Sequence, residues 1–396
     1  MKDKIKAFFH RPIWTDYRFL FFVWFVLSLV SAVTRLQKGN NFKVFRGMFW
    51  HTIDQLPLYV EYPNEYFDIA HYGPAFSIIV APFAACPFWL GLILWNMALA
   101  VGLWWAIRHL PMAKKEHIFL FWICANELFT ALVMQQFNIA TVALICGTFI
   151  CIEQKRDFWA ALLIVIGTFV KIYGIVGFAF FFFSRKKITL ILSTLFWSAV
   201  LFVLPRLISS PEYIIQQYSA WAVDIAEKNG ANTFSLYQNI SLLGIVRKVS
   251  GITSYSDLWL IVPGIILFGL PYLRIKQFAN LDYRFAVLAS VLMFVVLFSS
   301  GSESSGYIIA FVGVAIWYCK VPWQRSKFDL GLLIFAFIIT SLSPSDLFPQ
   351  YLRDVVIRPY SLKALPVAII WFKLIYEMLT RDYAQQKSLT NDDYTK

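Results

Sequence analysis

The chain has 396 residues, 59% of them apolar and only 15% charged, with a mean hydropathy of +0.63. Soluble chains run at about 45–50% apolar and about 25% charged, so this composition excludes a water-soluble domain, along with disordered, collagen, coiled-coil and disulfide-scaffold folds. The net charge of +12, from 35 basic and 23 acidic side chains, reads as basic loops on one side of a membrane and not as a nucleic-acid surface.

Crossing about 30 Å of hydrocarbon takes about 20 apolar residues as a helix. The apolar runs are continuous rather than alternating, which favours helices over a barrel. They fall at 18–35, 73–86, 88–108, 117–134, 138–152, 158–183, 188–207, 257–273, 284–299, 306–319, 328–342 and 362–379. The expected fold is therefore an all-α polytopic membrane protein of about twelve transmembrane helices. The first run follows a long basic segment and lacks a small-residue cleavage site, so it reads as a span and not a cleaved leader. Pro82 marks the second run as broken or tilted. Cys86, Cys124, Cys146, Cys151 and Cys319 lie in or beside apolar runs without metal-type pairing and read as packing residues.

Lys2, Lys4, Lys6 and Arg11 precede the first span and argue for a cytoplasmic N-terminus. On that count Arg185–Lys187, Arg274 with Lys276, and Lys320 with Arg325 and Lys327 all fall inside, and so does the tail after Arg381. Lys114–Lys115 and Lys155–Arg156 fall on the opposite side and conflict with the rule. Residues 1–380 read as one integral membrane domain with outer loops at about 35–72 and 209–256, followed by a polar cytoplasmic tail at 381–396. Phe42, Phe45, Phe49 and Ile53 in the first loop, and Ile215, Tyr218, Trp221 and Ile225 in the second, recur near helical spacing. Each stripe reads as an amphipathic helix in the membrane interface or as a spacer resting on it.

Soluble-enzyme signatures are missing: no phosphate-binding glycine loop, no His-Glu-x-x-His, no Gly-x-Ser-x-Gly and no Cys/His metal spacing. His10, His51, His71, His109 and His117 are scattered. The informative residues are polar groups at membrane depth. Lys171, in an otherwise apolar run, points to an anionic head group or phosphate, or to a structural pair with Glu127. Gln135-Gln136-Phe-Asn138 supplies amides between two spans, for a ligand or for interhelical hydrogen bonds. Ser299–Tyr307, with Glu303 its only charge, is a flexible turn or the lining of a sugar groove.

The first outer loop sets Asp54, Glu61, Glu65 and Asp68 among Tyr59, Tyr62, Tyr66 and Tyr72, and ends in Asp68-Ile-Ala-His71-Tyr72-Gly-Pro74. Aromatic faces contact sugar C–H groups and carboxylates take hydroxyl protons, so Tyr59, His71 and Tyr72 are candidate sugar contacts. A carboxylate there is a candidate general base. A solvated loop with interfacial tyrosines would use many of the same residue types.

Asn41-Phe-x-Val-Phe45 with Leu58-Tyr59, then Tyr72-Gly-Pro74 with Phe76 and Pro82, Gln136-x-Asn138, Phe169-Val-Lys171, and Asn239-x-Ser241 before Gly244 follow one another in an order that resembles the integral-membrane GT-C glycosyltransferases. The resemblance is to the family-87 branch, which includes polyprenol-phosphate mannosyltransferases, and covers roughly residues 18–250. It implies a GT-C-like fold and an outer-face reaction. A hexose, mannose in the family's case, passes with inversion from a polyprenyl-phosphate donor to a glycolipid or glycan acceptor. The family's early-loop Asp, which deprotonates the acceptor, corresponds to Asn41, and a neutral amide is no base. Asp68, then Glu65 and Glu303, are the substitutes. Lys171, Arg46, Gln136 and Asn138 are the expected donor-phosphate contacts, and Asn239 joins the sugar contacts. No cofactor is required, and a divalent ion is compatible with the loop carboxylates without being demanded by them. The partners are the sugar-lipid donor, the acceptor and the bilayer, with no nucleic acid. The expected location is the cytoplasmic membrane, with both termini inside. The alternatives are a transporter or flippase of lipid-linked sugars and a non-catalytic relative.

Overall fold

A computed structural model describes residues 11–232, 235–252 and 254–384. The basic residues Lys2, Lys4 and Lys6, His10 and most of the 381–396 tail lie outside the described residues. Those described are all-helical, 74% helix with no strand. Helices Phe88–His109 and Lys187–Leu207 are each long and apolar enough to cross a membrane. The pair Lys114–Ile123 and Ala125–Val133, bent by 45°, adds a third if it is one span. The other apolar runs fold as shorter helices, among them Tyr17–Val33, Asn138–Glu153 and Ser304–Cys319.

Helices Leu281–Leu297 and Tyr307–Cys319 are buried almost all round and form the core with Asn138–Glu153. Gly313 lets the first two approach closely: a Cβ there would lie 2.8 Å from the Ala289 carbonyl. By contrast, helices Lys187–Val203 and Leu258–Gly269 carry outward apolar faces. Ile188 is 75% and Trp259 77% exposed. Faces of this kind need lipid to cover them. This is a membrane protein.

Two segments depart from the expected spans. Helix Phe76–Ala84 has nine residues and reaches about 14 Å, half a bilayer. Both of its ends meet helix Asn40–Ile53. Phe45 and Phe76 have ring centroids 5.1 Å apart, and just past the other end Arg46 Nη1 donates to the Cys86 carbonyl at 2.5 Å. The segment therefore lies across that helix rather than forming a full-length span. The second departure is the run 158–183. Helix Asp157–Lys171 ends at Ile172, a β-branched residue held at φ +56. The 3-10 helix Tyr173–Phe183 then runs back alongside it. Just after its end, the Ser184 hydroxyl donates to the Asp157 carboxylate at the start of the outgoing arm. The arms close on two glycines: a Cβ on Gly174 would lie 2.5 Å from the Gly167 Cα. Lys171 therefore stands at the apex of a hairpin and not in mid-span.

Ion pairs bring the conflicting basic clusters together. Lys320 pairs with Glu116 at 3.7 Å and Asp282 at 3.1 Å, and Arg284 pairs with Glu153 at 2.7 Å. The Lys114–Lys115 and Lys155–Arg156 clusters thus share one end of the bundle with Lys320.

The stripe of helix Asn40–Ile53 faces inward at Phe42, Phe45 and Phe49, while Ile53 at its end is exposed. Phe42 and Phe45 are fully buried, the latter against Tyr72, Phe76 and Trp95. The loop leading into helix Phe76–Ala84 is held where the Gly73 amide donates to the Val170 carbonyl at 3.1 Å. A Cβ on Gly73 would sit 2.0 Å from the Phe169 carbonyl oxygen. Gly73→Ala is expected to cost about 3 kcal/mol, the upper end for overpacking, read as a lowered melting temperature in detergent. Gly331→Ala, with nothing within 4 Å, should not lower it.

Candidate active site

At the end of the bundle away from the basic clusters lies a cavity of two lobes, of about 730 and 560 Å³, which share His71, Lys171, Lys228 and Glu303. Four pieces of chain build it. The hairpin apex supplies Lys171 and Tyr173, and the loop before helix Phe76–Ala84 supplies Asp68, His71 and Tyr72. Helix Pro211–Ala231 supplies Trp221, Asp224 and Lys228. The Ser-rich island supplies Glu303 and Ser305.

Lys171 Nζ donates to Asn138 Oδ1 at 2.8 Å and lies 3.8 Å from Glu303 Oε1. It also faces the rings of Tyr72 and Tyr173, at 5.7 and 5.4 Å. The alternative pairing with Glu127 is not formed. Glu127 takes Lys363 at 3.1 Å, and Lys363 also donates to the Ser304 carbonyl and hydroxyl, each at 3.0 Å. The C-terminal end of helix Asp157–Lys171, with its partial negative charge, favours a cation at this point. Asn138 Nδ2 donates in turn to Ser305 at 3.3 Å, and the Tyr72 hydroxyl donates to Gln136 at 2.7 Å. The amides Gln136 and Asn138 thus orient Tyr72 and Lys171.

Across the cavity, His71 lies between two carboxylates. Its Nδ1 is 3.0 and 2.9 Å from the two oxygens of Asp224. Its Nε2 is 3.8 Å from Asp68 Oδ1, beyond hydrogen-bond length. Burial alone would lower the His71 pKa; the bond to Asp224 and the nearby Asp68 carboxylate outweigh it and raise it above the ordinary histidine value. His71 in turn, followed by the Ile69 amide, holds Asp68 below the usual carboxylate range. Asp68 adopts φ +80, a conformation that aspartate tolerates better than most residues. Lys228 has no ion-pair partner within 4.0 Å among the described residues. Burial lowers its pKa, against the opposing pull of Glu303, Asp68 and Asp224.

Of the residues singled out in the sequence, Asn41, Asp68, His71, Tyr72, Gln136, Lys171 and Glu303 line this cavity, and Asn138 holds Lys171. Asn41 donates to the Met134 carbonyl at 2.7 Å. Arg46 and Glu65 do not reach the cavity; they share a separate recess of about 190 Å³, where Glu65 pairs with His51 at 3.1 Å. Tyr59 lies behind the wall, donating to the Tyr72 carbonyl at 2.8 Å. Asn239 is fully buried at φ +51, its amide donating to the Ser300 carbonyl at 3.0 Å and its side chain accepting from Ser241 at 2.7 Å. It braces the Ser-rich island from behind.

Asp224, Lys228, Arg35 and Arg358 also line the cavity and escaped the sequence reading. The signal was present. Trp221, Asp224, Lys228 and Asn232 follow at spacings of 3, 4 and 4, one helical face beside the apolar stripe. Among the described residues, no group of three or more His, Cys, Asp or Glu side chains is placed to hold a metal ion.

Residues 70–300 match the family model of glycosyltransferase family 87, a stretch that includes His71, Tyr72, Gln136, Asn138, Lys171, Asp224 and Lys228. No curated protein matches the chain.

Proposed function

The chain belongs to glycosyltransferase family 87, and from that premise we propose that it moves a hexose, with mannose the sugar the family suggests, from polyprenyl phosphate to a glycolipid or glycan acceptor. The observation that carries this reading is the pair Lys171 and Lys228 in one cavity, facing the Asp68–His71–Asp224 array. The leaving group of such a donor is a phosphate whose charge grows as the bond to the anomeric carbon breaks. Two cations fixed beforehand in a site of low dielectric stabilise that charge at little reorganisation cost. The acceptor hydroxyl attacks the anomeric carbon from the opposite face and inverts it, giving up its proton to the array.

An apolar groove of about 340 Å³ supports a lipid carrier. It is lined by Ile79, Phe83, Trp95, Leu99, Phe137 and Leu144. Phe137 adjoins Gln136, and Phe76 bridges from Phe137 (ring centroids 5.7 Å) to Tyr72 (4.7 Å) on the cavity wall. The polyprenyl chain lies here with its phosphate at Lys171. The shorter apolar helices complete about twelve membrane passes, and residues 1–380 form one membrane domain. Lys114–Lys115, Lys155–Arg156 and Lys320 share one end; on the positive-inside rule that end is cytoplasmic and the cavity opens on the outer face of the cytoplasmic membrane.

The test is the purified protein in liposomes with acceptor glycolipids and a panel of polyprenyl-phosphate and nucleotide sugars, products being read by mass spectrometry. A new glycolipid is expected from a polyprenyl-phosphate sugar only. Transfer from nucleotide sugars alone would refute the reading.

A further inference from the structure

The proton of the acceptor has three candidate destinations in the cavity, and their surroundings differ. Glu303 stands beside Lys171 at the phosphate end, where its charge is already opposed by the cation. Asp68 has its Oδ1 occupied by the Ile69 amide at 2.8 Å, and its side chain is 67% exposed, so water solvates the charge. His71 differs from both. Both oxygens of Asp224 close on Nδ1, which must therefore carry a hydrogen. In the neutral ring that leaves Nε2 as a bare acceptor. The Trp221 indole donates to the His71 carbonyl at 3.3 Å and fixes the backbone from the same helix as Asp224. The remaining neighbour, Asp68 Oδ1 at 3.8 Å, is too far to bond Nε2 directly, yet near enough to stabilise a positive ring.

We propose that His71, oriented by Asp224, is the general base of the transfer, its Nε2 taking the acceptor proton in place of a loop carboxylate. The inference rests on the transfer reaction proposed above and assigns its proton. As the acceptor oxygen bonds to the anomeric carbon, its O–H bond breaks and the proton moves to Nε2. The bond from the anomeric carbon to the phosphate oxygen breaks, and its electron pair leaves on the phosphate beside Lys171 and Lys228. The imidazolium then stands between Asp224 and Asp68 until it loses the proton to water. The same arrangement accounts for an asparagine at position 41: the base has moved to the far end of the loop. Asp224 is a positioning residue that selects the tautomer, as a buried carboxylate does behind other catalytic histidines.

The charged groups facing His71 are Asp68 on its own loop and Asp224 and Lys228 on helix Pro211–Ala231, with Lys171 and Glu303 on the shared wall. The two carboxylates raise its pKa, and the neutral ring is the active form. The rate therefore rises with pH through a midpoint above the ordinary histidine value of about 6.5. A carboxylate base held as Asp68 is would be ionised throughout and give no such limb.

The test is kcat/KM against pH from 5.5 to 9 for the wild type, His71→Gln, Asp224→Asn and Asp68→Asn. Melting temperature and binding of polyprenyl phosphate show that each variant is folded. His71→Gln is expected to lose about 10²- to 10⁴-fold in kcat along with the rising limb. Asp224→Asn should lower kcat with little change in donor KM and move the limb to lower pH. Asp68→Asn should keep a limb. A flat wild-type profile, or His71→Gln active within threefold of wild type while Asp68→Asn is dead, would overturn the assignment and leave the transferase reading standing. A wild type inactive with every sugar-lipid would overturn both.

Discussion

Replacing Lys171 by Met is expected to lower kcat/KM for sugar transfer about 100- to 1,000-fold, the range for losing one fixed donor to a developing negative charge. The protein should remain folded, because Lys171 lines a cavity and its lost bond to Asn138 Oδ1, now 2.8 Å, can pass to water. The loss should fall mainly on kcat, since the phosphate carries more charge as a leaving group than as an ester. Lys171→Arg should recover only part of it: a planar fork does not replace a point charge held against Asn138 and Glu303. Steady-state kinetics with a fixed acceptor decide the matter. A higher donor KM with kcat unchanged would make Lys171 an anchor for the bound donor and not a participant in bond breaking.

The second large effect falls on stability. Lys363→Met leaves Glu127, fully buried, without the cation that now sits 3.1 Å away. It also removes the two bonds to Ser304 that tie the island beside Glu303 to the C-terminal region. Breaking one side of a buried pair costs about 3–5 kcal/mol, because the remaining charge has no water to solvate it. A clear fall in melting temperature is expected, with most of it regained in the double variant Lys363→Met/Glu127→Gln. Failure of the double variant to recover would mean that the lysine's bonds to Ser304 matter more than the charge balance.

The comparison with sequence divides along physical lines. Lys171, Gln136, Asp68, His71 and Glu303 were legible because polar groups within or beside apolar runs are costly unless they meet a partner or a cavity. The helical nature of the apolar runs was legible for the same reason that lipid leaves few alternatives. Their direction was not. A run such as 158–183 does not tell a straight span from a hairpin, since the turn depends on a positive φ at Ile172 and on contact between Gly167 and Gly174, seven residues apart. The conflict of Lys114–Lys115 and Lys155–Arg156 with the charge rule was legible too, and the ion pairs of Lys320 and Arg284 place both clusters at one end of the bundle. Arg46 and Glu65 show the limit for loops: both have suitable chemistry, and only the folded path sends them to a recess away from Lys171. Asp224 and Lys228 were hidden in an amphipathic helix read by its apolar side.

The most direct test is a photoreactive polyprenyl phosphate carrying its label beside the phosphate, irradiated with the protein in liposomes and mapped by peptide mass spectrometry. Cross-links are predicted on Tyr72, Tyr173 or Trp221 around Lys171, competed by unlabelled polyprenyl phosphate and reduced in Lys171→Met. Cross-links confined to surfaces outside this cavity, in a preparation that still transfers sugar, would show that the lipid phosphate is bound and cleaved elsewhere.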